Sequence, residues 1–283
     1  MRNHTLARAA YTFTLSALYA LIFSGQVLGF LGLYRLAFVL PVTLLVAALV
    51  AIVYWRSTRS FFPAILGEAP ASPSFLDLGL GILGAGLLAL LIFLPIVRWP
   101  FSPISETLNW DAGLYHLPKA LEMVKTGSSW DLSIAYGEYP YGYESLLAFP
   151  ALLMRSALGF GAAHALACLL FVLSLWLLLR RYTRLPAGFS MLLSSLVLLS
   201  GMFDQIDSNL WWIFKYLLFT IGKNDLFLAA TLLAILLHAP IGAATNQRES
   251  NFTGLALATG LALAVKPNTA SVVVPIWLWA LFQ

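Results

Sequence analysis

A chain of 283 residues that is 60% hydrophobic and only 10% charged cannot build a water-soluble surface, since soluble domains carry roughly a quarter of their residues as charges. The expected fold class is therefore an all-α polytopic membrane protein. The net charge of +4 rests on few ionisable groups, and in such a protein basic residues report orientation, so nucleic-acid binding is excluded. The single cysteine, Cys168, permits no intrachain disulfide and reads as a small buried hydrophobe.

Taken in chain order, the pattern predicts about seven to nine transmembrane or inserted helices, each spanning segment needing about 20 mostly apolar residues. Arg2 and Arg8 precede an apolar run too long for a secretory leader and without a small-residue cleavage site, so this is a retained first span. Spans over 9–31 and 36–55 form a hairpin through Tyr34 and Arg35, a Pro/Ser linker covers 56–75, and a Gly/Leu-rich span covers 76–97. The long polar segment 98–144 follows. Residues 144–157 are a short apolar helix interrupted by Pro150, partly re-entrant. Spans over 158–179 and 187–203 come next, then the interfacial or inserted segment 209–221, rich in tryptophan and tyrosine. Helices over 225–237, 252–265 and 271–282 complete the chain. The N-terminal hairpin and linker, 1–75, are set apart from a core of 76–283. The apolar run that closes at Phe282 and Gln283 leads to the expectation that this core is incomplete at its C-terminus.

The positive-inside bias orients the chain. Arg2 and Arg8, Arg56 and Arg59, Arg180, Arg181 and Arg184, and Arg248 recur on one side, which is expected to be cytoplasmic. The segment 98–144 and the segment from Asp204 to Asp225 then face outside. Asn3 and Asn251 begin Asn-X-Thr triplets on the cytoplasmic side, where the triplets carry no meaning.

Chemistry is expected in the polar segment, which holds Asp111, Glu122, Asp131, Glu138 and Glu144, five of the twelve acidic residues. Asp111 precedes a helix predicted over 112–125, where orphan N–H groups favour an anion, so it reads as an N-cap or as a catalytic acid. Pro118 predicts a break in the first turns of that helix. Tyr115 and His116 can hydrogen-bond a sugar or phosphate and Lys119 can supply positive charge, or the three belong to an amphipathic surface helix. His4, His164 and His238 lie too far from His116 in sequence for a metal-ligand pattern. The rings from Tyr136 to Tyr143, with Glu138, Tyr139 and Tyr141 among the site candidates, can stack on sugar faces or form a rigid turn. Asp225 either caps a helix or faces Asp111 across a cavity. Lys266, at the end of a span, either snorkels to the interface or contacts a phosphate.

Several of these short stretches resemble the GT-C superfamily of polytopic glycosyltransferases, especially bacterial relatives of protein O-mannosyltransferases and aminoarabinose transferases. The stretch Trp110 to Pro118, with Asp111, Tyr115 and His116, looks like the acidic motif of their first extracytoplasmic loop. Tyr139 to Leu146 resembles the entry to their next helix, Asn224, Asp225 and Leu226 their second acidic position, and Gly260 to Pro267 a Gly-Leu/Lys-Pro element. The resemblance covers roughly 76–283; Ala112 departs from it by standing where a second acid is common. It implies Asp111 as principal acid, Asp225 as second acid and Lys266 as a contact to lipid phosphate.

The function this implies is inverting transfer of a sugar from a polyprenyl-phosphate donor to a lipid, glycan or protein hydroxyl, at the outer face of a bacterial cytoplasmic membrane among its lipids. One base suffices for a single displacement, and a lysine can stabilise the leaving phosphate. No cofactor is called for, although a divalent cation is compatible with the acids. The rival readings are a lipid or sugar transporter or flippase, in which Asp111, Asp225 and Lys266 line a path, and an inactive truncated remnant.

Overall fold

The computed structural model describes residues 2–67, 74–98, 112–130, 142–156, 159–183, 185–201, 224–240 and 251–282. Among them are eleven α-helices and no strand. The helices are α1 (Arg2–Phe30), α2 (Leu36–Ser57), α3 (Phe61–Leu66), α4 (Phe75–Arg98), α5 (Leu117–Thr126), α6 (Gly142–Met154), α7 (Phe160–Tyr182), α8 (Ala187–Gly201), α9 (Asp225–His238), α10 (Phe252–Val265) and α11 (Ala270–Phe282). The protein is an all-α integral membrane protein: α1, α2, α4 and α7 contain segments long and apolar enough to cross a bilayer.

Exposure ranks these four. The most apolar window of α1 is 61% buried inside the protein, against 11% in α2 and 22% in α4, so α1 is central while α2 and α4 turn apolar side chains outward. Tyr11, Leu15, Leu18 and Ile22 recur at helical spacing and are buried on one face. They share one core with residues of α6, α7, α9 and α10. The N-terminal hairpin thus packs as part of the bundle, with Tyr11 OH 3.1 Å from Ser174 Oγ.

Glycines let α4 and α8 run side by side. A methyl on Gly84 would overlap the backbone of Leu192, and one on Gly188 would overlap the Asp77 carbonyl, the small-residue contact that drives helix association where water does not. Asp77 Oδ1 accepts from the amides of Gly188 and Phe189 at 2.8 and 3.2 Å, satisfying N–H groups at the start of α8 from a neighbouring helix.

Two ends of the bundle can be told apart. At the arginine end, Arg8 donates to Thr58 and stacks 3.7 Å over Trp55. Tyr54 OH is 3.2 Å from His238 Nε2, and Arg181 donates to the carbonyls of Leu237 and Ala239. Asn251 caps α10 by accepting from Gly254 N at 2.6 Å and ties it to Ser57 through its amide. At the other end, called the loop end, Tyr34 N donates to Gly127 O and Ser129 N to Gly29 O. Arg35 donates to the carbonyls of Val124, Lys125 and Thr126 and so neutralises the C-terminus of α5.

One expectation is corrected. Pro150 does not interrupt its helix: α6 is continuous from Gly142 to Met154, Pro150 is buried, and packing tolerates one missing N–H. Both ends of α6 lie at the loop end, Gly142 against Ala264 and Arg155 beside Leu36. At Pro118 the irregularity predicted for the first turns is present: a π-helical turn, Ala112–His116, gives way to α5 at Leu117, one residue before the proline that lacks an N–H for the preceding turn. The helices expected over 225–237, 252–265 and 271–282 are present as α9, α10 and α11, of 14, 14 and 13 residues. The inserted segment expected over 209–221 lies outside the described residues.

Candidate functional site

The polar groups singled out in the sequence gather at the loop end. His116 closes the π-helical turn and is 3% exposed, while Glu144 sits in the first turn of α6 and is 2% exposed. His116 Nδ1 lies 2.6 Å from Glu144 Oε1. A carboxylate accepts hydrogen bonds, so the tautomer that fits this contact carries its proton on Nδ1 and its lone pair on Nε2. That Nε2 is buried and has no hydrogen-bond partner among the described residues. A buried ring nitrogen without a partner is costly unless something else meets it.

Aromatic rings fix the imidazole. Tyr115 lies 4.1 Å from it and Tyr143 meets it edge-on at 5.4 Å. Lys119, three residues beyond His116 and therefore on the same side of the helix, is fully buried. It is thus part of the interior and not of an exposed amphipathic face. One side of α5, with Leu117, Ala120 and Met123, faces the core, and Met123 crowds Gly29 of α1.

The second cluster joins two helix ends. Lys266, the C-cap of α10, donates to Asp225 in the first turn of α9 across 2.8 Å. Its side chain is 37% exposed and that of Asp225 53%. A carboxylate at a helix N-terminus and a lysine at a C-terminus each complement the local dipole. Asp225 and Lys266 therefore form one pair, which the sequence alone did not connect.

The two clusters are linked through α6. Tyr143 stacks toward Phe227, two residues past Asp225, with ring centroids 6.3 Å apart. Gly142 rests against the backbone of Ala264, two residues before Lys266, so closely that any side chain there would collide. Among the sequence candidates, Tyr115, His116, Lys119, Asp225 and Lys266 are thus brought to one end of the bundle. Asp111, Glu138, Tyr139 and Tyr141 lie outside the described residues, although Asp111 directly precedes Ala112, which is fully buried.

Glu144, Tyr143 and Phe227 were not picked as site residues. The available signal was Glu144 itself, an acid at the entry of a helix that is otherwise apolar for its whole length. Among the described residues no group of three or more His, Cys, Asp and Glu could hold a metal ion. Tyr34, buried beneath the turn between α1 and α2, has its phenol pushed above the usual tyrosine range by that burial.

No protein-family model, no characterised protein sequence and no solved structure matches this chain.

Proposed function

We propose that this membrane protein is a glycosyltransferase of the GT-C type, moving a sugar from a polyprenyl-phosphate donor to a lipid, glycan or protein hydroxyl at its loop end. The observation that carries the reading is the buried His116–Glu144 pair with its unpartnered Nε2. The loop end then faces the outside of a bacterial cytoplasmic membrane, a reading supported by the larger number of arginines at the opposite end, Arg8, Arg56, Arg59, Arg180 and Arg181 against Arg35 and Arg155.

The chemistry follows from the geometry. Glu144 holds the tautomer of His116, and Nε2 takes the proton of the acceptor hydroxyl as its oxygen bonds to the anomeric carbon. The bond from that carbon to phosphate breaks, and polyprenyl phosphate leaves with both electrons. Lys119, from the interior, and Lys266, from the exposed rim, supply positive charge to the departing phosphate. Asp111, by its place in the motif, orients the acceptor or shares the proton. The polyprenyl chain stays in lipid while its head reaches the site.

The distribution of polar groups favours this over transport. Among the described residues the charged groups sit at the two ends of the bundle. Between them, His164 Nε2 is 3.4 Å from both the Leu91 carbonyl and Cys168 Sγ, within apolar packing. A transport path would carry charged groups through that depth.

The test is mass spectrometry of envelope lipids and glycans from a host lacking the gene, complemented with the native chain, Asp111→Asn or His116→Gln. A sugar-mass increment restored by the native chain and lost in His116→Gln supports the assignment. Restoration by His116→Gln but not by Asp111→Asn moves the base to Asp111. Absence of any increment with the native chain rejects glycosyl transfer.

A further inference from the structure

Between the start of α2, α5 and the end of α6 lies a cleft of about 440 Å³, lined by Leu36, Leu121, Val124, Ala151 and Leu152, with Arg155 at its edge. Its size is within the range that takes small molecules. Leu36 opens the first residue-turn of a membrane-length helix, so the cleft sits at headgroup level. Below it Leu36, Leu40 and Leu44 follow at four-residue intervals on one helix face, with Leu40 36% and Leu44 62% exposed. Leu121, Leu153 and Met154, around the cleft, are also about half exposed.

Charge at the rim is unbalanced. Arg155, held at φ 50° just past the end of α6, is exposed and makes no hydrogen bond or ion pair among the described residues. Arg35 is engaged by the backbone carbonyls that end α5, one of them that of Val124. Lys125 is matched by Glu122 at 3.5 Å. An apolar cleft at the interface, continued by a leucine row and edged by the Arg155 guanidinium, is complementary to a phosphate attached to a hydrocarbon chain.

We infer that this cleft binds an anionic membrane phospholipid, with its phosphate on Arg155 and one acyl chain along Leu36, Leu40 and Leu44. The site goes beyond the transferase reading and does not depend on it. Eleven residues separate Glu144 from Arg155 along α6, about 16 Å at the helical rise. That separation sets the proposed lipid site apart from the His116–Glu144 pair. The lipid here is a resident neighbour and not the donor.

The experiment is native mass spectrometry of the purified full chain titrated with phosphatidylglycerol or with phosphatidylcholine of the same acyl chains, alongside melting temperature with each lipid. The native chain is expected to retain phosphatidylglycerol about tenfold more tightly, as one charge-assisted contact implies, and to melt higher in its presence. Arg155→Ala should lose both effects, Arg155→Lys should keep part of them, and Arg155→Ala should melt like the native chain without lipid. Equal retention of the two lipids by the native chain overturns the proposal. So does undiminished phosphatidylglycerol binding by Arg155→Ala.

Discussion

Lys266 Nζ lies 2.8 Å from Asp225 Oδ1 and thereby joins the C-terminus of α10 to the N-terminus of α9. Both side chains are more than a third exposed, and ion pairs of that kind contribute about 0–1 kcal/mol. Asp225→Asn and Lys266→Met should therefore leave the melting temperature of the purified protein nearly unchanged. If the pair serves the transfer reaction, the same variants lower sugar transfer at least tenfold. A fall in activity matched by a large fall in melting temperature would assign the pair to structure alone.

Glu144→Gln keeps the shape of the side chain and an oxygen that can accept from His116 Nδ1, but removes the charge that would support a protonated imidazole. Transfer is expected to fall by about 10²- to 10⁴-fold, the range of a general base, with the fold intact by circular dichroism and melting. Full activity in Glu144→Gln would remove the pair from the mechanism. Glu144→Leu is expected to destabilise the protein as well, because it leaves Nδ1 buried without an acceptor.

Asn251 is 4% exposed, caps α10 and is tied to Ser57. Asn251→Ala should lower stability by about 0.5–2 kcal/mol, the usual cost of a lost N-cap, seen as a lower melting temperature. Expression in a host that glycosylates Asn-X-Thr should leave Asn251 unmodified. A glycan mapped there would contradict its burial.

Cys168, the only cysteine in the chain, is fully buried, which gives labelling experiments a silent background. Introduced one at a time, Lys125→Cys at the loop end and Ser60→Cys at the arginine end report sidedness. A membrane-impermeant maleimide applied to intact cells should label the first and reach the second only after lysis. The reverse pattern would invert the orientation proposed for the site.

Gly84 packs against the backbone of Leu192, and Ser195 donates to its carbonyl at 2.9 Å. Gly84→Val inserts atoms into that contact and is expected to cost about 1–3 kcal/mol, as overpacking usually does. Gly86, whose Cβ direction is open, serves as control: Gly86→Ala should melt no lower than the native protein. Equal melting of Gly84→Val and Gly86→Ala would disprove the close α4–α8 approach.

Composition and period determined much by themselves. Long apolar runs must bury their backbone polar groups in helices, so the membrane class and the positions of α1, α2, α4 and α7 were legible from hydropathy alone. Local chemistry also marked where polar residues concentrate, because Asp111 to Lys119 and Lys266 interrupt an oily chain. What only tertiary structure decided was who meets whom. His116 and Glu144 are 28 residues apart and Lys266 and Asp225 are 41 apart; no periodicity encodes contacts at such separations. They arise because α6 packs against α1, α5 and α10, with Gly142 allowing the approach to Ala264 and Gly25 the approach to Ser145. Pro150 shows the same division. Sequence propensity alone weighs its lost N–H as a break, whereas burial among neighbouring helices makes it harmless.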